Sequence, residues 1–177
     1  PDETAAVVEE IESQGGRGLA LSGPIDDDAA VAAVVEQVVS AFGRIDSLVT
    51  SAGMQWYGDG VSTTPEEYDT VMAVNVRGVF LSVHHALPAL RASGAGSITV
   101  VASVQGTATQ SNVVAYTTSK GALHAMVRAL AVDEAAYGVR VNSVSPGSVD
   151  TPMLRAAAAR FGDPSPEGVE RTVAAWG

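Results

Sequence analysis

GSITVVASVQGTATQSNVVAYTTSK, residues 96–120, is the stretch that decides the fold. GSITVVAS reads as a short buried strand, and a loop of about ten residues leads from it to a helical pattern carrying YTTSK, 116–120. A strand, a loop at its carboxyl end and a helix returning from that loop form one half of a βαβ unit. On the helix, Tyr116 and Lys120 stand at i and i+4, so a phenol and an ammonium share a face and can meet. Tyr-x-x-x-Lys is also what an ordinary amphipathic helix contains, with the tyrosine packed and the lysine solvated. The neighbouring elements have to distinguish the two.

The same alternation continues on both sides. PDETAAVVEEIESQGG reads as a helix with acidic first turns, stopped by Gly15–Gly16, and GLALSG as a short strand. DDDAAVAAVVEQVVSAFG is a helix opened by an aspartate cap and closed by Gly43. RIDSLVTSAG is a strand ending in a small-residue turn, followed by a loop with Trp56 and Tyr57. A long helix over 65–93 has a capping threonine and Pro65 in its first turn. VRVNSVSPGSVDTPM is a strand with a turn-rich loop, and residues 154–177 form two short helices around Gly-Asp-Pro. Strands of this length between helices imply an α/β fold with right-handed crossovers and a parallel sheet. Ligands bind such sheets at the carboxyl ends of the strands. Ser51–Gly53, Ser103 and Ser145–Thr151 occupy three such ends, and Tyr116 enters from the same edge.

Composition narrows the function classes. The 177 residues suffice for one domain, and 46% hydrophobic with 17% charged residues is a globular balance. A net charge of −10 argues against nucleic acid and anionic membrane as partners. The absence of cysteine excludes disulfides, thiolate metal sites and a cysteine nucleophile, and fits a cytoplasmic location. His84, His85 and His124 have no ligand-like spacing and read as structural, so no metal site is expected. The glycines of GGRG and of GDG at 58–60 read as turns, because neither group follows a strand and opens a helix.

Taken together, these pieces resemble the short-chain dehydrogenases/reductases, and the resemblance runs over nearly the whole chain. Tyr116 and Lys120 match the family's Y-x-x-x-K, Ser103 its catalytic serine thirteen residues earlier, and Asn75 in NVRG its helix asparagine. Ser145-Pro146-Gly147 with Val149 and Thr151-Pro152 resembles the loop that touches the nicotinamide, and AFGRIDSLVTSAG the strand ending in N-N-A-G. The resemblance implies a Rossmann-type doubly wound parallel sheet in three α/β/α layers. It also implies NAD or NADP as cofactor, bound by Ser51, Ala52, Gly53, Asn75, Tyr116, Lys120, Pro146, Gly147, Val149 and Thr151. Oxidation of an alcohol needs a base for the hydroxyl proton and the reverse reduction needs an acid. A phenol with pKa roughly 10 requires help at neutral pH, which a neighbouring ammonium supplies at about 1.4 kcal/mol per unit. The implied tetrad is therefore Tyr116 as acid/base, Lys120 as pKa modifier and ribose clamp, Ser103 as donor to the substrate oxygen, and Asn75 as holder of a water. Beside these roles stand structural ones: Ser103 as a loop cap, Asn75 as a helix kink, and Trp56, Tyr57 and Phe161 as packing rather than pocket wall.

The resemblance has gaps. The family's first strand, glycine-rich T-G-x-x-x-G-x-G loop and second strand are not present, nor are its last helix and strand. Residues 1–177 are thus expected to be a single partial domain, internal to a longer chain and inactive alone. Pro24-Ile25 replaces an Asp-Val that contacts adenine, and Thr50-Ser51 replaces the two asparagines. The expected activity of the parent is hydride transfer between a nicotinamide and a small alcohol or ketone. Two alternatives remain: a non-redox epimerase or dehydratase on the same site, and a non-catalytic Rossmann-like scaffold. A homodimer or homotetramer through helices 65–93 and 113–137 is the expected assembly. Substrate specificity is assigned mostly to residues 153–177 and to the family's missing C-terminal tail.

Overall fold

Caps written in the sequence set several helix ends. A computed structural model describes residues 2–176; Pro1 and Gly177, the outermost positions of the 1–177 domain reading, lie outside them. Helix α1 spans Asp2–Ser13, and Gly15 with φ +82° turns the chain after it. In α2 (Asp28–Phe42) the Asp27 carboxylate accepts from the Ala30 N–H, and Gly43 in the left-handed region donates to Val39 O. Thr64 and Glu67 form a reciprocal capping box at α3 (Pro65–Met72), with Pro65 in its first turn. The expected single helix over 65–93 is interrupted: a π-helical segment, Ala73–Arg77, joins α3 to α4 (Gly78–Ala92).

Strands β1 (Ser47–Thr50), β2 (Ser97–Val101) and β3 (Arg140–Val144) pair in parallel in the order β1-β2-β3. Helix α5 (Val114–Glu134) crosses from β2 to β3, and α6 (Pro152–Phe161) and α7 (Pro166–Trp176) follow β3. Ile98 and Val100 of β2 are fully buried against Val79, Val83 and Leu90 of α4 and Leu123 and Val127 of α5. Each such aliphatic side chain contributes roughly 1.5–3 kcal/mol on burial. Helix α2 packs on α4 behind them. On the opposite sheet face Val49 and Val144 are exposed. Among the described residues, no helix is long and apolar enough to cross a membrane.

Two local expectations are corrected. GLALSG, residues 18–23, is not a strand: it pairs with nothing, and Leu19 is exposed. A strand exists through its ladder bonds, and among the described residues no strand lies beyond β1 to supply them. Gly58 is not merely a turn residue either. It bridges to Val113, its N–H donating to Asn112 O and its carbonyl accepting from Val114 N–H, which pins the loop after β1 to the start of α5. The following turn is closed by the Asp59 carboxylate, which accepts from the Val61 and Ser62 amides.

Candidate active site

Because the three strands are parallel, the loops after Thr50, Val101 and Val144 leave from one edge. They enclose a cleft of about 800 Å³ whose wall includes Ser51, Gly53, Ser103, Tyr116, Lys120 and Gly147. Pro146, Val149 and Thr151 line it as well; Ala52 and Asn75 do not. The loops are tied together at their roots by Ala102 N–H to Val144 O and Val104 N–H to Pro146 O. Thr151 also caps α6, its hydroxyl accepting from Leu154 N–H.

Ser103 is buried and starts a short 3₁₀ turn, Val104–Gly106, where its oxygen accepts from Gln105 N–H at 3.1 Å. The capping reading of Ser103 is therefore realised through its oxygen, which leaves the hydroxyl hydrogen for the Tyr116 phenol. Burial pushes the Tyr116 phenol above its ordinary value, and a hydrogen bond with Ser103 pulls it part of the way back. Lys120 is 5% exposed, with Nζ donating to Val101 O at 3.1 Å and lying 5.5 Å from the centre of the Tyr116 ring. Burial lowers its pKa. In this structure the phenol is thus tuned by burial and by Ser103, while the ammonium is held above the ring face by a backbone carbonyl.

Asn75 sits on the π-helical segment, fully buried beneath the cleft. Its Oδ1 accepts from Met54 N–H at 2.8 Å, and its Nδ2 donates to Met54 O at 2.9 Å and to Ser119 Oγ at 3.0 Å. Ser119 in turn donates to the Tyr116 carbonyl at 2.7 Å. The extra residue of a π turn re-aims side chains relative to an α-helix, a device common at functional sites. Here it directs an amide that locks the loop after β1 onto the helix bearing Tyr116 and Lys120. Both donors of that amide are used, leaving one acceptor lone pair. Ser119, the buried hydroxyl that completes this link, escapes a reading by motif because it falls on a variable position of Y-x-x-x-K.

The residues suit a nicotinamide nucleotide on two observations. Lys120 spends one of three N–H donors on Val101, so a buried ammonium has donors to spare at the cleft wall. A Cβ at Gly53 would stand 3.4 Å from Asn75 Oδ1 and 3.7 Å from Lys120 Nζ, so glycine keeps that cradle open for a ligand. Of the aromatic candidates, Tyr57 and Phe161 do line the cleft, in edge-to-face contact at 4.7 Å. Trp56 does not, while Trp176 does. The histidines are engaged elsewhere: His85 Nε2 meets Asp28, His84 stacks on Phe80 and meets the His85 ring edge-on at 4.9 Å, and His124 Nε2 meets Ser145 Oγ at 2.9 Å.

A family model described as short chain dehydrogenase matches residues 1–160. The 2-(R)-hydroxypropyl-CoM dehydrogenase of Xanthobacter autotrophicus is 46% identical over 133 residues, 73% of this chain and 52% of that protein. The ligand-free aldohexose dehydrogenase of Thermoplasma acidophilum superposes with TM-score 0.88 at 28% identity, covering 98% of this chain and 72% of that one. A gluconate 5-dehydrogenase from Burkholderia cenocepacia, solved with NADP and tartrate, gives TM-score 0.82 at 26% identity, covering 88% and 61%. The chain spans about half the length of the curated relatives it matches.

Proposed function

Since this chain belongs to the short-chain dehydrogenase family, we propose that the protein containing it is an NAD- or NADP-dependent oxidoreductase acting on a small alcohol or carbonyl compound. The observation that carries this reading is the Ser103–Tyr116–Lys120 group on the wall of one cleft, with Ser103 and Lys120 buried and Tyr116 half-buried. Tyr116 takes the hydroxyl proton in oxidation and returns it in reduction. Ser103 donates to the substrate oxygen and stabilises the charge that develops there. Lys120 uses its free donors on the ribose hydroxyls, and Asn75 holds the loop after β1 in register with both. When bound, the nicotinamide accepts or gives the hydride. Ser51, Ala52, Gly53, Pro146, Gly147, Val149 and Thr151 form the remaining contacts to the cofactor in this reading. Residues 1–177 act as one part of the nucleotide-binding domain, in a cytoplasmic protein.

The test is the complete protein with NAD or NADP and a panel of alcohols, followed by nicotinamide absorbance. Product formed with no absorbance change would select the non-redox alternative. The pH dependence offers a sharper check. Oxidation needs the phenolate, and burial holds the Tyr116 pKa above the ordinary phenol value. Oxidation should therefore climb through the alkaline range, while reduction, which needs the phenol, should fall there. Ser103 supplies the contribution that opposes burial, so Ser103→Ala should move both inflections to higher pH as well as slowing the reaction. Inflections that stay in place in kcat/KM profiles would remove Ser103 from this role.

A homodimer or homotetramer through α4 and α5 belongs to the same proposal. Its support is exposed apolar surface on those helices: Phe80 at 50%, Val114 at 39% and Val132 at 76%. Light scattering should give twice or four times the monomer mass, and Phe80→Glu should lower it.

A further inference from the structure

One histidine stands in line with the proposed catalytic pair and takes no part in the reaction above. Tyr116, Lys120 and His124 follow one another at steps of four along α5, so they share one face of the helix. His124 Nε2 and Ser145 Oγ share a hydrogen bond of 2.9 Å. Ser145 is the first residue after β3, where the loop that resembles the nicotinamide contact begins. The same ring abuts the turn that starts at Ser103. A Cβ on Gly106 would stand 2.8 Å from His124 Cε1 and 2.8 Å from the Lys120 carbonyl oxygen, so that turn lies flush on this part of α5. His124 thus meets two of the loops that enclose the cleft.

The bonds around Ser145 show what this contact fixes. Val144 O accepts from Ala102 N–H and Pro146 O from Val104 N–H, which ties the loop's backbone to the end of β2 and to the turn after Ser103. Neither bond reaches α5. Among the described residues, His124 to Ser145 is the one hydrogen bond between α5 and residues 144–151. Gly147, Ser148 and Val149 come next, exposed on the cleft wall and without a backbone hydrogen bond among the described residues. The chain is fastened again at Thr151, which caps α6. Where those three residues lie relative to Tyr116 and Lys120 therefore depends on how the chain is held at Ser145.

Resting on the oxidoreductase reading above, we infer that His124 is a positioning residue for the nicotinamide: through Ser145 it holds residues 145–151 in register with the helix that carries Tyr116 and Lys120. It neither takes the substrate proton nor touches the reacting carbon. Its effect is on the nucleotide, because a loop already ordered on α5 binds without the cost of being ordered at that moment. The bond is open to solvent, so it is worth one ordinary hydrogen bond and no more.

The experiment titrates NADH and NADPH into the complete protein by fluorescence, as the native chain and as His124→Leu, His124→Gln, Ser145→Ala, and His124→Leu with Ser145→Ala. Glutamine can set its amide where Nε2 stands, whereas leucine fills the space without a polar atom. The expected result is a Kd raised about three- to tenfold by His124→Leu and equally by Ser145→Ala. The double variant should add nothing further, since both changes break one bond, and His124→Gln should stay within about twofold of native. At saturating cofactor and alcohol, kcat should change by less than about twofold, a split that general loosening of the fold would not give. An unchanged Kd in His124→Leu, a glutamine variant as weak as the leucine one, or effects that add in the double variant would overturn the inference and leave the oxidoreductase reading standing. If the native protein binds neither nucleotide, the oxidoreductase reading fails, and hydrogen exchange decides the tie. Faster exchange at the amides of residues 147–151 in His124→Leu, restored in His124→Gln, supports it, and equal exchange in all three proteins overturns it.

Discussion

Tyr116→Phe in the complete protein is expected to lower kcat/KM for alcohol oxidation by about 10²- to 10⁴-fold, the usual contribution of a positioned proton-transfer group. The substitution removes one oxygen and keeps the ring that faces Lys120 Nζ. Folding should be nearly unaffected, since Ser103 retains its bond from the Gln105 amide and Ser119 still reaches the backbone carbonyl of residue 116. Cofactor affinity, read by fluorescence titration of NADH or NADPH, should change by less than about threefold. The loss should therefore appear in kcat, the signature of an interaction made in the transition state. Activity close to that of the native protein would remove Tyr116 as the acid/base and with it the proposed chemistry.

Asn75→Leu should be the most damaging single change to the fold around the site. The side chain is fully buried, and its amide satisfies the N–H and C=O of Met54 and the hydroxyl of Ser119. Leucine has a similar size but no polar atom. It leaves two backbone groups and a hydroxyl short of partners, at about 1–3 kcal/mol for each group that water cannot reach. A loss of about 2–4 kcal/mol is expected in urea unfolding, with a lower midpoint and an unchanged slope. The loop carrying Ser51 and Gly53 would lose its anchor, so the Kd for the nucleotide should rise as well. Asn75→Asp keeps the acceptor for Met54 N–H but sets a carboxylate oxygen against Met54 O and Ser119 Oγ in a buried position, so it too should destabilise, and more at neutral than at acid pH. Stability equal to the native protein in Asn75→Leu would show that the clamp is dispensable.

Element order, helix caps and the position of Tyr116 four residues before Lys120 were legible because each depends on local chemistry. Asp27, Thr64 and Gly43 terminate helices through bonds to residues within four positions. The strands at 97–101 and 140–144 announced themselves by apolar pattern and spacing. GLALSG carries a similar pattern and still makes no strand, because pairing depends on a neighbour and not on the segment itself. The π turn at Ala73–Arg77 was also hidden, since one extra residue in a helix leaves the apolar periodicity almost unchanged. Asn75 was found by its resemblance to a family motif, but its partners were not: Met54 is 21 residues away and Ser119 is 44.

What the sequence determined on its own was most of the helices, the three paired strands and the placing of Tyr116 one turn before Lys120, since propensity, capping and i, i+4 spacing act within a few residues. Only the tertiary structure decided how those residues are tuned. Tyr116 is set by burial and Ser103, Lys120 is held by the carbonyl of Val101 on a separate strand, and His124 meets Ser145 though 21 positions separate them. Burial and hydrogen bonding across a sheet edge depend on which distant segments are brought together, and no local pattern encodes that.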